Sequence, residues 1–238
     1  MPESYNFPPI EHVELRGRYA QGLTKAKLEE LYPFFLEESQ DTHPVYGFTF
    51  AERGGKPSYR RSTIGRTFDF ADGLSVILTR ESIQVISKGA YKGWAYISDK
   101  FLNAHEHCGR PEMKSVGTLF VNKISIDVEN SRIELGEYFD VFISDRQLQE
   151  CGGSIGFFQF KTSLVGLNNV PSNHTCEIQV VARPANIEGV CEFTVNVQVD
   201  SYDDKSNDLG ASVERLRTSK NASFEAVVTD KTRALFRG

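Results

Sequence analysis

Strict alternation is what most constrains this chain. From Cys191 to Val199 every second residue is apolar: Cys191, Phe193, Val195, Val197 and Val199. Glu192, Thr194, Asn196, Gln198 and Asp200 occupy the other positions. Successive side chains on a strand point to opposite faces, so the pattern specifies a sheet with one face buried and the other on water or a partner. Cys176, Ile178, Val180 and Ala182 alternate the same way with Glu177 and Gln179. A hairpin of these two runs around Pro184 to Gly189 sets Cys176 near Val197 and Cys191 at the far end. Such spacing argues against a disulfide between the two cysteines.

The first half of the chain follows the same logic. Val13, Leu15 and Gly17 alternate with Glu14, Arg16 and Arg18, which reads as a strand. Val45 to Phe50 reads as another. Arg66 to Phe70 and Leu74 to Arg80 flank Asp72-Gly73, a short-hairpin signal, and Ile83 to Ser87 extends the meander. Val116 to Val128 and Ile155 to Val165 complete the strands. In the former, Phe120, Ile124, Ile126 and Val128 share a parity, and Asn122 shares it too.

Helical spacing occurs in three regions. Thr24 caps the first, where Leu28, Leu31, Tyr32 and Phe35 are interrupted by Pro33, so the helix ends near Tyr32 or kinks there. Tyr91, Trp94, Ile97, Phe101 and Ala104 form the second, with Trp94 in the core. Leu209, Val213 and Leu216 begin the third. Phe224, Val227, Val228 and Leu235 continue it, either through Asn221-Ala222-Ser223 or broken there. The expected fold is α+β: mostly antiparallel sheet, with three helical regions packed on one face. The 238 residues form one compact unit or two halves, about 1–130 and 131–238.

Composition narrows the functional classes. A hydrophobic fraction of 39%, with seventeen Phe and nine Tyr, supports a real core and disfavours disorder. A formal charge of −5 disfavours a globally basic nucleic-acid or membrane binder. No run approaches the roughly 18 apolar residues of a membrane span. Met1 to Phe7 carries Glu3 and no basic or apolar stretch, unlike a secretory leader, so the expected compartment is the cytoplasm. Cys108, Cys151, Cys176 and Cys191 form no C-x-x-C pair.

One segment stands out in this acidic chain. Arg53 to Gly65 reads as a loop rich in Gly, Pro and Ser, and the stretch to Phe68 contains Arg53, Lys56, Arg60, Arg61 and Arg66 with no acidic residue. Tyr59 lies among them. Arginine forks suit phosphate, and an aromatic can stack on a base; a solvated surface loop is the plainer reading. Gly54-Gly55-Lys56 lacks the spacing of a P-loop. Asn122 is either a structural clamp or an amide facing a ligand. His105-Glu106-His107-Cys108 is the densest set of ligand-type residues, but it lacks further specified ligands and reads as a helix end before Gly109 and Pro111. Asp200, Asp203, Asp204 and Asp208 lack the glycine and closing Glu of a calcium loop. No G-x-S-x-G, H-E-x-x-H or G-x-G-x-x-G is present, and no cofactor or metal is expected.

The order of several short motifs resembles a sporadically distributed prokaryotic family of uncharacterised proteins of about this length. They are Pro9-Ile10-Glu11-His12-Val13, Tyr32-Pro33, Tyr91-Lys92-Gly93-Trp94, the strand Val116 to Asn122, and Phe224 before Val228-Thr229. The chain departs from that family before Asn122, where relatives tend to carry Arg and an aromatic and Leu119 and Phe120 stand here, and at Arg217, where a His is expected. The family's patchy distribution implies horizontal transfer and mobile or defence-type gene neighbourhoods. The expectation is a non-enzymatic interaction or regulatory protein, an antitoxin, immunity or defence partner, that binds a protein or itself. The alternative is a nucleic-acid or nucleotide binder using residues 53–66; an enzyme with an unfamiliar site ranks third.

Overall fold

The computed structural model describes residues 8–53, 56–88, 91–127, 135–140, 158–165, 174–184, 190–201 and 208–237. The protein has a mostly antiparallel sheet with helices, an α+β fold. It divides into two compact units that interleave along the chain rather than parting near residue 130. One holds Met1–Val13, Thr118–Ser201 and Glu214–Gly238; the other holds Glu14–Gly117 and Tyr202–Val213.

In the second of these units, strands β2 (Asp41–Arg53), β3 (Lys56–Asp69), β4 (Leu74–Thr79) and β5 (Ser82–Lys88) follow one another as antiparallel neighbours. Their buried face carries Phe68, Leu74, Val76, Leu78, Ile83 and Val85. Asp72-Gly73 turns β3 into β4 as its composition predicts: Gly73 has φ +82°, and Asp72 Oδ1 accepts from Leu74 N at 3.0 Å. Helix α1 (Lys25–Glu38) starts at Thr24, whose hydroxyl accepts from Lys27 N at 3.1 Å.

This helix does not end at Tyr32. It runs through Pro33, because the next turn buries Phe35 beside Phe68, with ring centroids 5.2 Å apart. That burial offsets the hydrogen bond which proline removes. Helix α2 (Trp94–His107) buries Trp94, Ile97, Phe101 and Ala104. Tyr91 precedes it instead of opening it.

In the other unit, β7 (Phe158–Val165), β8 (His174–Pro184) and β9 (Val190–Ser201) pair antiparallel in order. Cys176 faces Val199 and Cys191 faces Pro184, which keeps the two cysteines at opposite ends of the ladder. The strand β6 (Met113–Asp127) supplies Phe120, Asn122, Ile124 and Ile126 to a buried face. Helix α3 is one turn, Leu135–Tyr138. Helix α4 (Leu209–Val227) starts at Asp208, which accepts from Ala211 N at 3.0 Å, and passes unbroken through Asn221-Ala222-Ser223. The break falls later, at Val228-Thr229, where Val228 bridges to Phe139. Helix α5 (Asp230–Arg237) buries Phe236 and leaves Leu235 exposed, reversing the expectation for Leu235. Helices are thus more numerous than three.

Candidate functional site

The segment expected to be a basic loop is a strand. Lys56–Asp69 pairs with Asp41–Arg53 down its whole length, with Arg53 opposite Lys56 at one end and Asp41 opposite Asp69 at the other. The physical reason lies in the sequence. Tyr59, Thr63, Ile64 and Thr67 are strand formers, and a Gly-Gly pair is a common two-residue hairpin connection. Gly and Pro density hid a ribbon with polar side chains on much of its surface.

Strand β4 reaches only the lower part of β3, from Gly65 opposite Thr79 to Asp69 opposite Ser75. Among the described strands β2 stands at the edge of the sheet, beside β3 alone. Beyond Val45 and Gly65 the pair therefore continues as a two-stranded ribbon, roughly 25 Å long at about 3.3 Å per residue. A register shift between Val45 and Tyr46 leaves Ile64 as the extra residue, a bulge that bends and twists the ribbon at its root. Gly22, Ile64, Thr79, Arg80 and Glu81 line a cleft of about 320 Å³ there.

Residues directly opposite each other share a face. Tyr46 faces Thr63, Phe48 faces Arg61 and Phe50 faces Tyr59. One face of the ribbon therefore carries Tyr46, Phe48, Phe50, Tyr59 and Arg61. Phe48 is 58% exposed, Phe50 79% and Tyr59 75%. The Arg61 guanidinium lies 3.3 Å from the Tyr46 ring centroid, which holds a cation flat on the aromatic row. Arg60 faces Thr49 on the opposite side, so Arg60 and Arg61 do not form one patch.

The remaining basic candidates separate. Arg53 and Lys56 face each other at the far end, and their side chains lie outside the described residues. Arg66 belongs to the body of the sheet. It is half-buried, donates to Thr42 Oγ1 at 3.1 Å and sits 5.3 Å from the Tyr32 ring. Sequence reasoning missed Tyr46, Phe48 and Phe50 as site residues. Their alternation marked a strand, and their exposure follows only from the ribbon's having no covering layer among the described residues.

The cluster at the end of α2 is engaged within the fold. His105 Nε2 is 2.9 Å from the Pro111 carbonyl oxygen, and His107 Nδ1 is 2.7 Å from that of Asn103. The His107 ring stacks on Phe34 at 3.5 Å. Cys108 is buried and accepts from the Tyr19 hydroxyl at 3.7 Å; burial pushes its thiol pKa up, away from thiolate chemistry. Among the described residues, no three His, Cys, Asp or Glu side chains are grouped to hold a metal ion. No described helix is long and apolar enough to cross a membrane.

Asn122 is 4% exposed on the inner face of β6, as its parity predicts. Among the described residues its buried Nδ2 has no hydrogen-bond partner, where a dedicated one was expected. Lys220 on α4 places its ammonium 3.9 Å from the ring centroid of Phe120, the neighbouring position on that face. Burial, assisted by Arg217, lowers the Lys220 pKa to about 8. Nothing in the sequence marks Lys220: it sits between Ser219 and Asn221 in a polar stretch of helix. Neither a family model nor a curated protein matches this sequence.

Proposed function

We propose that this chain is a non-enzymatic interaction protein whose β2–β3 ribbon grips a protein partner. The carrying observation is the row of exposed aromatics on one face of that ribbon. Phe48 and Phe50 have no polar tip to satisfy in water. Burying each in a complementary groove stabilises a complex by about 1.5–3 kcal/mol. Tyr, Phe and Arg are the side chains enriched at the centre of interfaces. From Val45 to Ile64 the ribbon has Arg53, Lys56, Arg60 and Arg61 against Glu52 alone. The partner that fits is an apolar groove rimmed by carboxylates. An antitoxin, immunity or regulatory role in the cytoplasm is the biological setting we infer for such a grip.

The experiment is purification of the tagged chain from its host, as wild type and as the Phe48→Ser/Phe50→Ser double variant. A polypeptide that accompanies the wild type and is lost from the variant, at unchanged melting temperature, supports the reading. Retention of the same polypeptide by the variant sinks it.

A second reading has its own support. Arg61 stacked on Tyr46, with Tyr59 and Phe50 alongside, is the composition of a stacking platform for single-stranded nucleic acid. Oligonucleotide binding that weakens steeply with salt and is lost on Arg61→Glu would select it over the protein partner.

A further inference from the structure

Two donors lie along β6 and α4, and among the described residues neither has a full complement of acceptors. Among the described residues, the buried Asn122 Nδ2 has no hydrogen-bond partner. A buried amide donor left unpaired costs about 1–3 kcal/mol, so a fold keeps one at a loss. Lys220 Nζ rests on the face of the Phe120 ring at 3.9 Å. Among the described residues no carboxylate lies within ion-pair distance of that ammonium. The two acidic side chains nearest along α4 are occupied: Glu214 pairs with Arg217 at 3.4 Å, and Glu225 with Arg233 at 2.8 Å.

Phe120 and Asn122 are successive residues on one face of β6, about 7 Å apart along the strand. A lysine stem that covers Phe120 therefore brings a positive charge to the neighbourhood of the unpaired amide. A water molecule would satisfy the amide but not the charge. A small oxyanion answers both, by accepting from the amide and neutralising the ammonium in a low-dielectric setting.

We propose that Asn122 and Lys220 bind a small oxyanion, the carboxylate or phosphate group of a low-molecular-weight ligand, between β6 and α4. The site is separate from the ribbon and stands whether or not the ribbon grips a partner. Lys220 as a whole is half-buried, while burial is the main influence on its ammonium. The two unsatisfied donors are then explained as preorganisation: a stability loss in the empty protein that the ligand repairs.

Proton linkage gives a readout confined to this site. Burial and the nearby Arg217 lower the Lys220 pKa, while Glu225 opposes them weakly. An anion beside Nζ favours the charged form and must raise that pKa. The experiment follows the Lys220 side-chain resonances by NMR through a pH titration. It is run in chloride with a zwitterionic buffer, then with acetate, then with inorganic phosphate. Lys220→Arg assigns the signal.

The expected result is a Lys220 midpoint that rises by one pH unit or more with acetate or with phosphate while other lysines stay put. Whichever anion acts identifies the headgroup as planar carboxylate or tetrahedral phosphate. The rise should vanish in Asn122→Leu, checked for folding by its near-ultraviolet circular dichroism. Should that variant fail to fold, Asn122→Asp supplies the same test, because its carboxylate repels the anion. A midpoint unmoved by both anions overturns the proposal. So does a rise shared by all lysines, or one that persists in a folded Asn122 variant.

Discussion

The ribbon and the β6–α4 face break the inside-out rule in opposite senses. The ribbon leaves Phe50 79% exposed, whereas β6 holds Asn122 at 4%. Position in the sheet, rather than residue type, separates them. Phe68 lies on the same strand β3 as Tyr59, yet Phe68 is 0% exposed, beneath α1 and beside β4. Past Gly65 the strand keeps its partner β2 but has lost β4. An aromatic there remains in water until something else covers it. A binding protein can carry apolar surface on an extension because the fold beneath does not depend on it. Polar groups buried in the body do weigh on the fold, which makes them costly and therefore informative.

The sharpest measure of this contrast is Phe68→Ala. The ring is fully buried against Phe35 and Tyr32, so its loss leaves a cavity. Chemical denaturation should show a loss of about 3–5 kcal/mol. A loss below about 1 kcal/mol would mean that the α1 layer contributes little and that the root of the ribbon is no more anchored than its far end.

Next comes Lys220→Met, which keeps the packing on Phe120 and removes the charge. The Lys220 pKa falls from 10.5 to about 8 on folding. A folded-state value below the unfolded one means that the charged lysine opposes folding. The penalty is complete below about pH 8 and fades as pH rises toward the unfolded value. Each pKa unit corresponds to about 1.4 kcal/mol, so the variant should gain on the order of 2–3 kcal/mol at pH 7. The gain should shrink steadily when denaturation is repeated between pH 8 and pH 10. A variant less stable than wild type at pH 7 would show that the ammonium is well solvated.

Gly65→Ala tests the junction itself. A Cβ there would stand 2.2 Å from the Leu78 carbonyl oxygen and 2.8 Å from Thr79 Cα, both backbone atoms. β3 must move off β4 at its last pair, at a cost of about 1–3 kcal/mol. Gly47→Ala, out on the ribbon, meets the Ile64 side chain at 2.7 Å, which can rotate away. Its cost should be under about 1 kcal/mol. Equal effects at the two glycines would remove the distinction between anchored and free ribbon.

Much of this was legible in the residues. Period-two alternation located β1 (Ile10–Tyr19), β8 and β9, and parity alone placed Asn122 on the buried face. Asp72-Gly73 fixed a hairpin because only a few residues adopt its positive φ. The misreadings have physical causes. Gly, Pro and Ser in residues 53–65 suggested a loop, but a ribbon with no covering layer among the described residues needs no apolar core face, so its second strand shows no clean alternation. Pro33 suggested a helix end or a kink, and the burial of Phe35 carries the helix through it, which removes the first. Lys220 could not be read at all. Its setting is a tertiary contact with Phe120, one hundred residues away in the chain, and no local pattern encodes that.

The smallest predicted effect decides whether the ribbon is a free surface. Phe48→Ser and Phe50→Ser each remove a ring that water already reaches, so each should shift stability by no more than about 0.5 kcal/mol. The aromatic row also carries one internal contact, Arg61 on Tyr46, which at an exposed site is worth about 0.5–1 kcal/mol in a double-mutant cycle. Neither serine variant removes a member of that pair. A loss beyond 1 kcal/mol at Phe50 would mean that its ring is buried in solution by another part of the protein or by a second copy. Dilution separates these cases: a loss that disappears at low concentration reports a second copy, and one that persists reports the chain's own fold. A ring that proves neutral at every concentration is held out for a partner, and binding is then the only property that its removal changes.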